Sequence, residues 1–199
     1  MLLCILGFSA SGKDTLTEQI IKKYAFSKVV QYTTRPKRES ETNGVSYHFI
    51  DKQNFEKGIV DNDFVSYRKF ETTEGIWYYG IKKDTILQTE KKIIIIDIEG
   101  LIDLKKNIKY DDILSVFIDV DLKLRIERVK NRTDVDIREF TRRAKEDESK
   151  KELILKHCDV SVKNINMNDC LHELHEIIDG KTLHDKSTTP NKGSTKIGV

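Results

Sequence analysis

The sequence has no run of about 18 apolar residues, the length that spans a hydrocarbon core, so no transmembrane helix is expected. It also lacks an excess of charge of one sign. Against 35 Lys and Arg stand 33 Asp and Glu, a formal net charge of +2. That balance gives no basis for a nucleic-acid coat or a polybasic membrane patch. Any power to hold phosphate must come from where individual cations sit. Cysteine is scarce and odd in number. Cys4, Cys158 and Cys170 have no metal-type spacing and read as reduced thiols of a cytoplasmic protein. The five histidines are scattered, none paired with a cysteine or carboxylate at a ligand spacing, which argues against zinc. There is no internal repeat. The apolar stretch Met1–Gly7 has no basic flank and runs straight into a Gly/Ser loop. It reads as a buried strand rather than a leader.

What is present is 199 residues, 38% hydrophobic and 34% charged, enough for one domain with insertions and a core that needs no disulfides. Residues 2–6 form a continuous apolar run, the pattern of a strand buried on both faces. Leu16, Ile20, Ile21 and Tyr24 fall on one face of a helix over residues 13–24. Residues 28–34 predict a second short strand. Residues 35–81 change character, with many aromatics, glycines and charges. Their short alternating pieces predict a small mixed or antiparallel sheet inserted between strands of a parallel core. A helix is expected over 82–90, a central strand over 93–98 and another over 113–120. Asp121 should cap the helix that follows. One long charged helix is expected over 136–156, a short strand over 158–162, and a final helix ending before Gly180. Residues 181–199 have almost no apolar content and read as a disordered tail. Strands alternating with helices predict a parallel sheet covered on both faces, with function at the carboxyl ends of its strands.

Gly7-Phe8-Ser9-Ala10-Ser11-Gly12-Lys13-Asp14-Thr15 follows a predicted strand and opens a predicted helix. Glycines let the backbone wrap a phosphate chain, and successive N–H groups with the helix N-terminus supply positive potential. Lys13 adds a mobile point charge. Gly7, Ser9, Ala10, Ser11, Gly12, Lys13, Asp14 and Thr15 are the candidate ATP-binding residues, and Lys13 is also a candidate catalytic residue. Position 14 normally carries a Ser or Thr whose hydroxyl ligates magnesium. Here Asp14 stands there with Thr15 next, so Asp14 and Thr15 are candidate Mg²⁺ ligands, and stronger metal dependence is expected. Further on, Arg35 and Arg38, held by Pro36, are spaced so that both can face one phosphate, with Tyr47 and Tyr79 as phenolic donors.

The pieces GFSASGKDTL, YTTRPKRESETNGVSYHF, WYYG and IIIDIEG, followed by an Arg-rich stretch, run in this order over roughly residues 1–165. Together they resemble the guanylate kinase family of nucleoside monophosphate kinases. The resemblance implies an α/β, three-layer P-loop kinase with a parallel central sheet. The core would be 1–34 and 82–180, with an inserted monophosphate-binding subdomain of small mixed sheet at 35–81 and a helical lid at 132–144. It implies transfer of the ATP γ-phosphate to GMP or dGMP with ATP and Mg²⁺ as cofactors, in a cytoplasmic monomer or dimer that binds neither nucleic acid nor membrane. It assigns Arg35, Arg38, Tyr47 and Tyr79 to the acceptor phosphate, and Asp97 to the neighbourhood of the acceptor base and of the metal, as a third candidate Mg²⁺ ligand beside Asp14 and Thr15. Arg128, Arg132 and Arg143 resemble the lid arginines that close over the transferring group. Three positions depart from the family's pattern. Ser66 aligns with its guanine-reading glutamate, Ile81 with its Ser/Thr, and Gln31 with its Ser before the TTR triplet. Glu71 or Glu74 are the candidate substitutes for the lost carboxylate. The departures leave open another deoxynucleotide or a ribose bisphosphate as acceptor. A non-catalytic interaction module of the same shape is the reading that the complete Gly/Lys frame opposes.

Overall fold

The computed structural model describes residues 1–72, 75–86, 91–108, 112–130 and 137–187. Its elements in chain order are β1 (Leu2–Gly7), α1 (Lys13–Tyr24), β2 (Ser27–Lys28), β3 (Tyr32–Thr33), β4 (His48–Phe49), α2 (Lys52–Val60), β5 (Phe64–Thr72) and β6 (Gly75–Lys82). They continue with β7 (Lys92–Ile95), α3 (Ile98–Asn107), β8 (Ile113–Asp119), α4 (Leu122–Lys130), α5 (Ile137–Glu148), α6 (Lys151–His157), β9 (Val160–Lys163) and α7 (Met167–Ser187). Five strands form one parallel sheet in the order β2-β7-β1-β8-β9. Four form a second, mixed sheet in the order β4-β3-β6-β5. The expected α/β class and parallel core are therefore present.

The period of two along β1 explains the layers. Leu2, Cys4 and Leu6 pack with Leu101, Leu104 and Ile154 of α3 and α6 on one face. Leu3 and Ile5 pack with Leu16 and Ile20 of α1 and with Cys170 and Leu174 of α7 on the other. Each buried Leu, Ile or Val contributes about 1.5–3 kcal/mol relative to exposure. The second sheet has its own small core, in which Phe55 of α2 stacks between Phe64 and Tyr78 at ring separations of 4.3 and 5.1 Å. Among the described residues no helix is long and apolar enough to cross a membrane.

Several expected elements are corrected. The single strand over 28–34 is two: β2 belongs to the central sheet, and the chain crosses into the second sheet at Tyr32. The strand over 93–98 stops at Ile95, because the Asp97 side chain caps α3 by accepting from the Gly100 N–H at 2.6 Å. Ile98 is thus the first residue of a helix, with Ile98, Leu101 and Leu104 on its buried face. The 35–81 segment contains a helix as well as strands. Asp51 caps α2 by accepting from the Asn54 N–H at 2.8 Å. In place of a helix over 82–90, β6 runs to Lys82 and a single 3₁₀ turn covers Lys83–Thr85, while 87–90 lie outside the described residues. The long charged helix is broken after Glu148 into α5 and α6. The last helix passes through Gly180 to Ser187, so residues 181–187 are helical where a disordered tail was expected. Residues 188–199 lie outside the described ones.

Candidate functional site

The loop between β1 and α1 folds back on itself, with the Ser11 N–H donating to the Phe8 carbonyl at 3.1 Å. Two of its positions leave little room for a side chain. A Cβ on Gly7 would stand 2.5 Å from Ser11 Oγ, and Gly12 has φ +84° with Asn164 Nδ2 2.7 Å from where a Cβ would be. α1 begins without a side-chain cap, so the amides of its first turn have no internal acceptor. Ser11 Oγ is buried with no partner. Unpaired donors around a glycine-framed turn at a helix N-terminus suit a polyphosphate. Ser9 and Ala10 complete the turn, Ala10 at φ +63°. Lys13 Nζ lies 3.8 Å from the Asp14 carboxylate. Asp14 and Thr15 are both exposed at the start of the helix. These oxygen donors fit Mg²⁺, which takes one or two carboxylates and keeps much of its water.

Across the cleft stands the second cluster. Arg35 is only 6% exposed, and Glu41 closes its fork, with Nη2 to Oε1 at 2.6 Å and Nη1 to Oε2 at 3.0 Å. Its Nε donates to Tyr79 Oη at 3.2 Å, and the guanidinium lies 5.7 Å from the Tyr47 ring. The expectation that both arginines face one phosphate is thereby corrected, since a carboxylate six positions on occupies the Arg35 fork. Arg38 is the one whose side chain stands in the cleft, while its backbone N–H donates to Glu41 Oε2 at 2.8 Å. The Arg35 hydrogen bonds, then that N–H, hold the Glu41 carboxyl at about 2. Tyr47 packs edge-on against Tyr79 at 5.8 Å, and its phenol is pushed up by burial. The Asp14 carboxylate is close enough to add to that shift. Glu41 went unassigned in the sequence. The signal was a carboxylate six residues after an arginine, which means nothing until the turn at residues 39–40, closed by the Glu41 N–H on the Arg38 carbonyl at 3.1 Å, brings them together.

The far end of the cleft is formed by Gln31, Ser66, Ile81 and Asp97. Gln31 Nε2 donates to the Ile95 carbonyl at 2.7 Å, which fixes its amide against the end of β7. Asp97 is exposed at the carboxyl end of that strand, where parallel sheets place ligands. Ser66 Oγ donates to Asp103 Oδ2 at 2.9 Å. Glu71, at the rim, pairs with Lys69 at 3.3 Å and is 79% exposed. Glu74 lies outside the described residues.

The arginines of α4 and α5 are placed differently from expectation. Arg128 does not hang over the cleft. It stitches the glycine loop from behind, with Nη1 donating to the carbonyls of Ala10 and Ser11 at 3.4 and 3.3 Å and Nη2 to Asn164 O at 2.6 Å. Carbonyls left over by the tight turn attract the nearest guanidinium, and that turns Arg128 inward. Asn164 Nδ2 reaches the same Ser11 carbonyl at 2.7 Å. Arg125 is fully buried, lies 4.9 Å from the Phe8 ring centre and pairs with Glu148 of α5. Arg132 and the side chain of Arg143 lie outside the described residues. Arg142 of α5 does line the cleft, although the sequence reading passed it over for its neighbour.

The cleft joining these parts has a volume of about 1290 Å³ and is lined by Gly7, Ser9 and Lys13 together with Arg38, Tyr47 and Tyr79. That is room for more than one small ligand.

Comparison with known proteins agrees with the geometry. A family model described as guanylate kinase matches residues 1–181. A guanylate kinase of Clostridium tetani is 35% identical over 136 residues, which cover 66% of this chain and 61% of that protein. One of Chlorobium chlorochromatii is 30% identical, covering 64% of this chain and 68% of the other. The chain thus spans under two thirds of the length of the first of these relatives. Among solved structures, guanylate kinase from Anaplasma phagocytophilum superposes with a TM-score of 0.61 at 17% identity, covering 90% of this chain and 85% of that one. At that identity the likeness is one of fold.

Proposed function

The chain belongs to the guanylate kinase family, and from that membership we propose that it transfers the γ-phosphoryl group of ATP to GMP or dGMP, giving the diphosphate and ADP. The observation that carries this is that one cleft is lined both by the glycine loop with Lys13 and by Arg38, Tyr47 and Tyr79, two anion cradles set against each other in this reading.

The chemistry asks for positioning and charge compensation rather than covalent help. The glycine loop and Lys13 hold the ATP phosphates, and Arg128 and Asn164 keep that loop in shape. Arg38, Tyr47 and Tyr79 hold the acceptor phosphate, with Arg35 locked by Glu41 as the post on which Tyr79 is set. An oxygen of the acceptor phosphate attacks the γ-phosphorus as the bond to the β-bridging oxygen breaks, and the electron pair leaves on ADP. No general base is needed, because the attacking oxygen is already an anion. Bound Mg²⁺ offsets charge on the outer phosphates, and Asp14, Thr15 and Asp97 are the residues that would hold it or its water. Arg142, with Arg132 and Arg143, supplies the closing side, a lid that excludes water so that ATP is not hydrolysed. Burial pushes the Cys158 and Cys170 thiols up to about 11, which keeps them protonated and unreactive near neutral pH, so neither is a nucleophile in this chemistry.

A second reading keeps the reaction and changes the acceptor. It is favoured by Ser66 and Ile81, neither of which offers a carboxylate to a guanine edge. Coupled ADP release across GMP, dGMP, AMP, dTMP, CMP, UMP and ribose 1,5-bisphosphate decides between them. The highest kcat/KM is expected with GMP or dGMP. Preference for any other acceptor favours the second reading, and no turnover with any of them, while ATP still binds, would sink both.

A further inference from the structure

Guanine presents one acceptor, O6, and two adjacent donors, N1–H and the 2-amino group, along a single edge. A site that reads it needs a donor beside an acceptor, and a carboxylate is the strongest acceptor available. Among the carboxylates described near the cleft, Glu41 is consumed by Arg35 and Arg38. Asp97 spends one oxygen on the α3 cap. Glu71 is 79% exposed, Asp14 stands beside Lys13 at the glycine loop, and Asp147 of α5 lines the cleft but is engaged in an interaction of its own.

One wall remains. Strand pairing puts Ser66 opposite Ile81 and Arg68 opposite Tyr79, and all four line the cleft. Tyr79 is the residue tied to the acceptor-phosphate cluster, so Arg68 and then Ser66 extend along the same face away from the phosphate. From the other side comes α3. Asp97 and Gly100 line the cleft, and Asp103 follows three residues later on the same helical face. Asp103 Oδ2 takes the Ser66 hydroxyl at 2.9 Å and Arg68 Nη1 at 2.8 Å, while Arg68 Nη1 also donates to the Tyr67 carbonyl at 2.7 Å. The pair is partly open, Arg68 being 28% and Asp103 35% exposed. Asp103 Oδ1 and Arg68 Nε and Nη2 have no described partner. An acceptor and a donor fork therefore stand side by side, fixed by three hydrogen bonds.

We propose that the Arg68–Asp103 pair reads the acceptor base, Asp103 accepting from N1–H and the 2-amino group and Arg68 donating to O6. The carboxylate missing from position 66 is supplied from helix α3, and Ser66 serves to aim it. The inference rests on the guanine reading of the acceptor given above.

The test compares GMP with IMP, which keeps O6 and N1–H but lacks the 2-amino group. Losing a hydrogen bond to a charged group corresponds to roughly a tenfold to hundredfold change. The unaltered chain should prefer GMP over IMP by roughly that factor in kcat/KM. Asp103→Asn should collapse the preference while leaving the KM for ATP unchanged. Arg68→Gln should lower GMP and IMP alike, because both carry O6. The double variant Ser66→Glu/Asp103→Asn should restore the preference by returning a carboxylate to the strand. A GMP:IMP ratio unmoved by Asp103→Asn in a folded protein overturns the inference alone, as does an Arg68→Gln variant with full GMP activity. No turnover of any guanine nucleotide by the unaltered chain overturns the functional reading along with it.

Discussion

Lys13→Ala is expected to lower kcat by roughly 10²–10³-fold for every acceptor while leaving the melting temperature nearly unchanged. The asymmetry follows from its surroundings. Its described ion partner is Asp14 at 3.8 Å, itself 77% exposed, and such a solvated pair adds little to stability. Its worth lies in the charge it brings to the outer phosphates, in a site whose amides are already aimed. The fold does not depend on it, since Leu16 and Ile20 anchor α1 against the sheet. ADP release and thermal melting on the same preparation check both halves. A variant that lost its fold, or one that kept full turnover, would contradict the role.

Glu41→Ala is expected to raise the KM for the acceptor by roughly tenfold to a hundredfold, with the KM for ATP little changed. Removing this carboxylate frees the bidentate fork of Arg35 and the backbone N–H of Arg38 at once. Arg35 then has no fixed place from which to hold Tyr79, and the acceptor wall loosens as a unit. The pH dependence has a definite sign. Arg35 holds the folded Glu41 pKa at about 2, below its ordinary value, so its contribution is complete above the unfolded carboxylate range and is lost as the pH falls through that range toward 2. Acceptor saturation should therefore show no titration of this group between about pH 5 and 8. Glu41→Gln should restore part of the loss, because an amide oxygen still accepts one hydrogen bond. Initial-rate kinetics with each substrate varied in turn separate the two KM values. Equal rises in both would mean that Glu41 acts on the whole cleft.

What the sequence made legible was whatever a local pattern encodes. β1 is a continuous apolar run up to Gly7, and β8 is one interrupted only by Ser115 before it ends at Asp119, which burial on both faces explains. The Gly7–Lys13 frame states its own loop. α3 was hidden because residues 93–98 are apolar but for Asp97, and the strand-to-helix change there is decided by that one side chain turning back to the Gly100 amide. α2 was hidden in the same way behind Asp51, a cap residue followed by mostly polar positions. The division of residues 28–34 between two sheets depends on Val29 bonding to Ile93 and Tyr32 to Gly80, partners more than forty residues distant. In the site, the amide cradle and the cleft-lining Arg38, Tyr47 and Tyr79 were readable from motif spacing. Glu41 and Asp103 were not, because each acts by holding an arginine, and a cation and an anion among 34% charged residues give no signal before folding pairs them. Arg128 was misplaced for the converse reason. Its spacing to Arg132 suggested a shared helix face, while the orphan carbonyls of the glycine loop drew it inward.

The opposition of the two cradles can be measured with a compound that joins adenosine and guanosine through five phosphates. If both cradles face one cleft, it binds one per chain by calorimetry, more tightly than either ATP or GMP, and competes with both. Lys13→Ala and Arg38→Ala should each weaken it. Competition with ATP alone, with affinity unaffected by Arg38→Ala, would show that the arginine wall does not face the glycine loop.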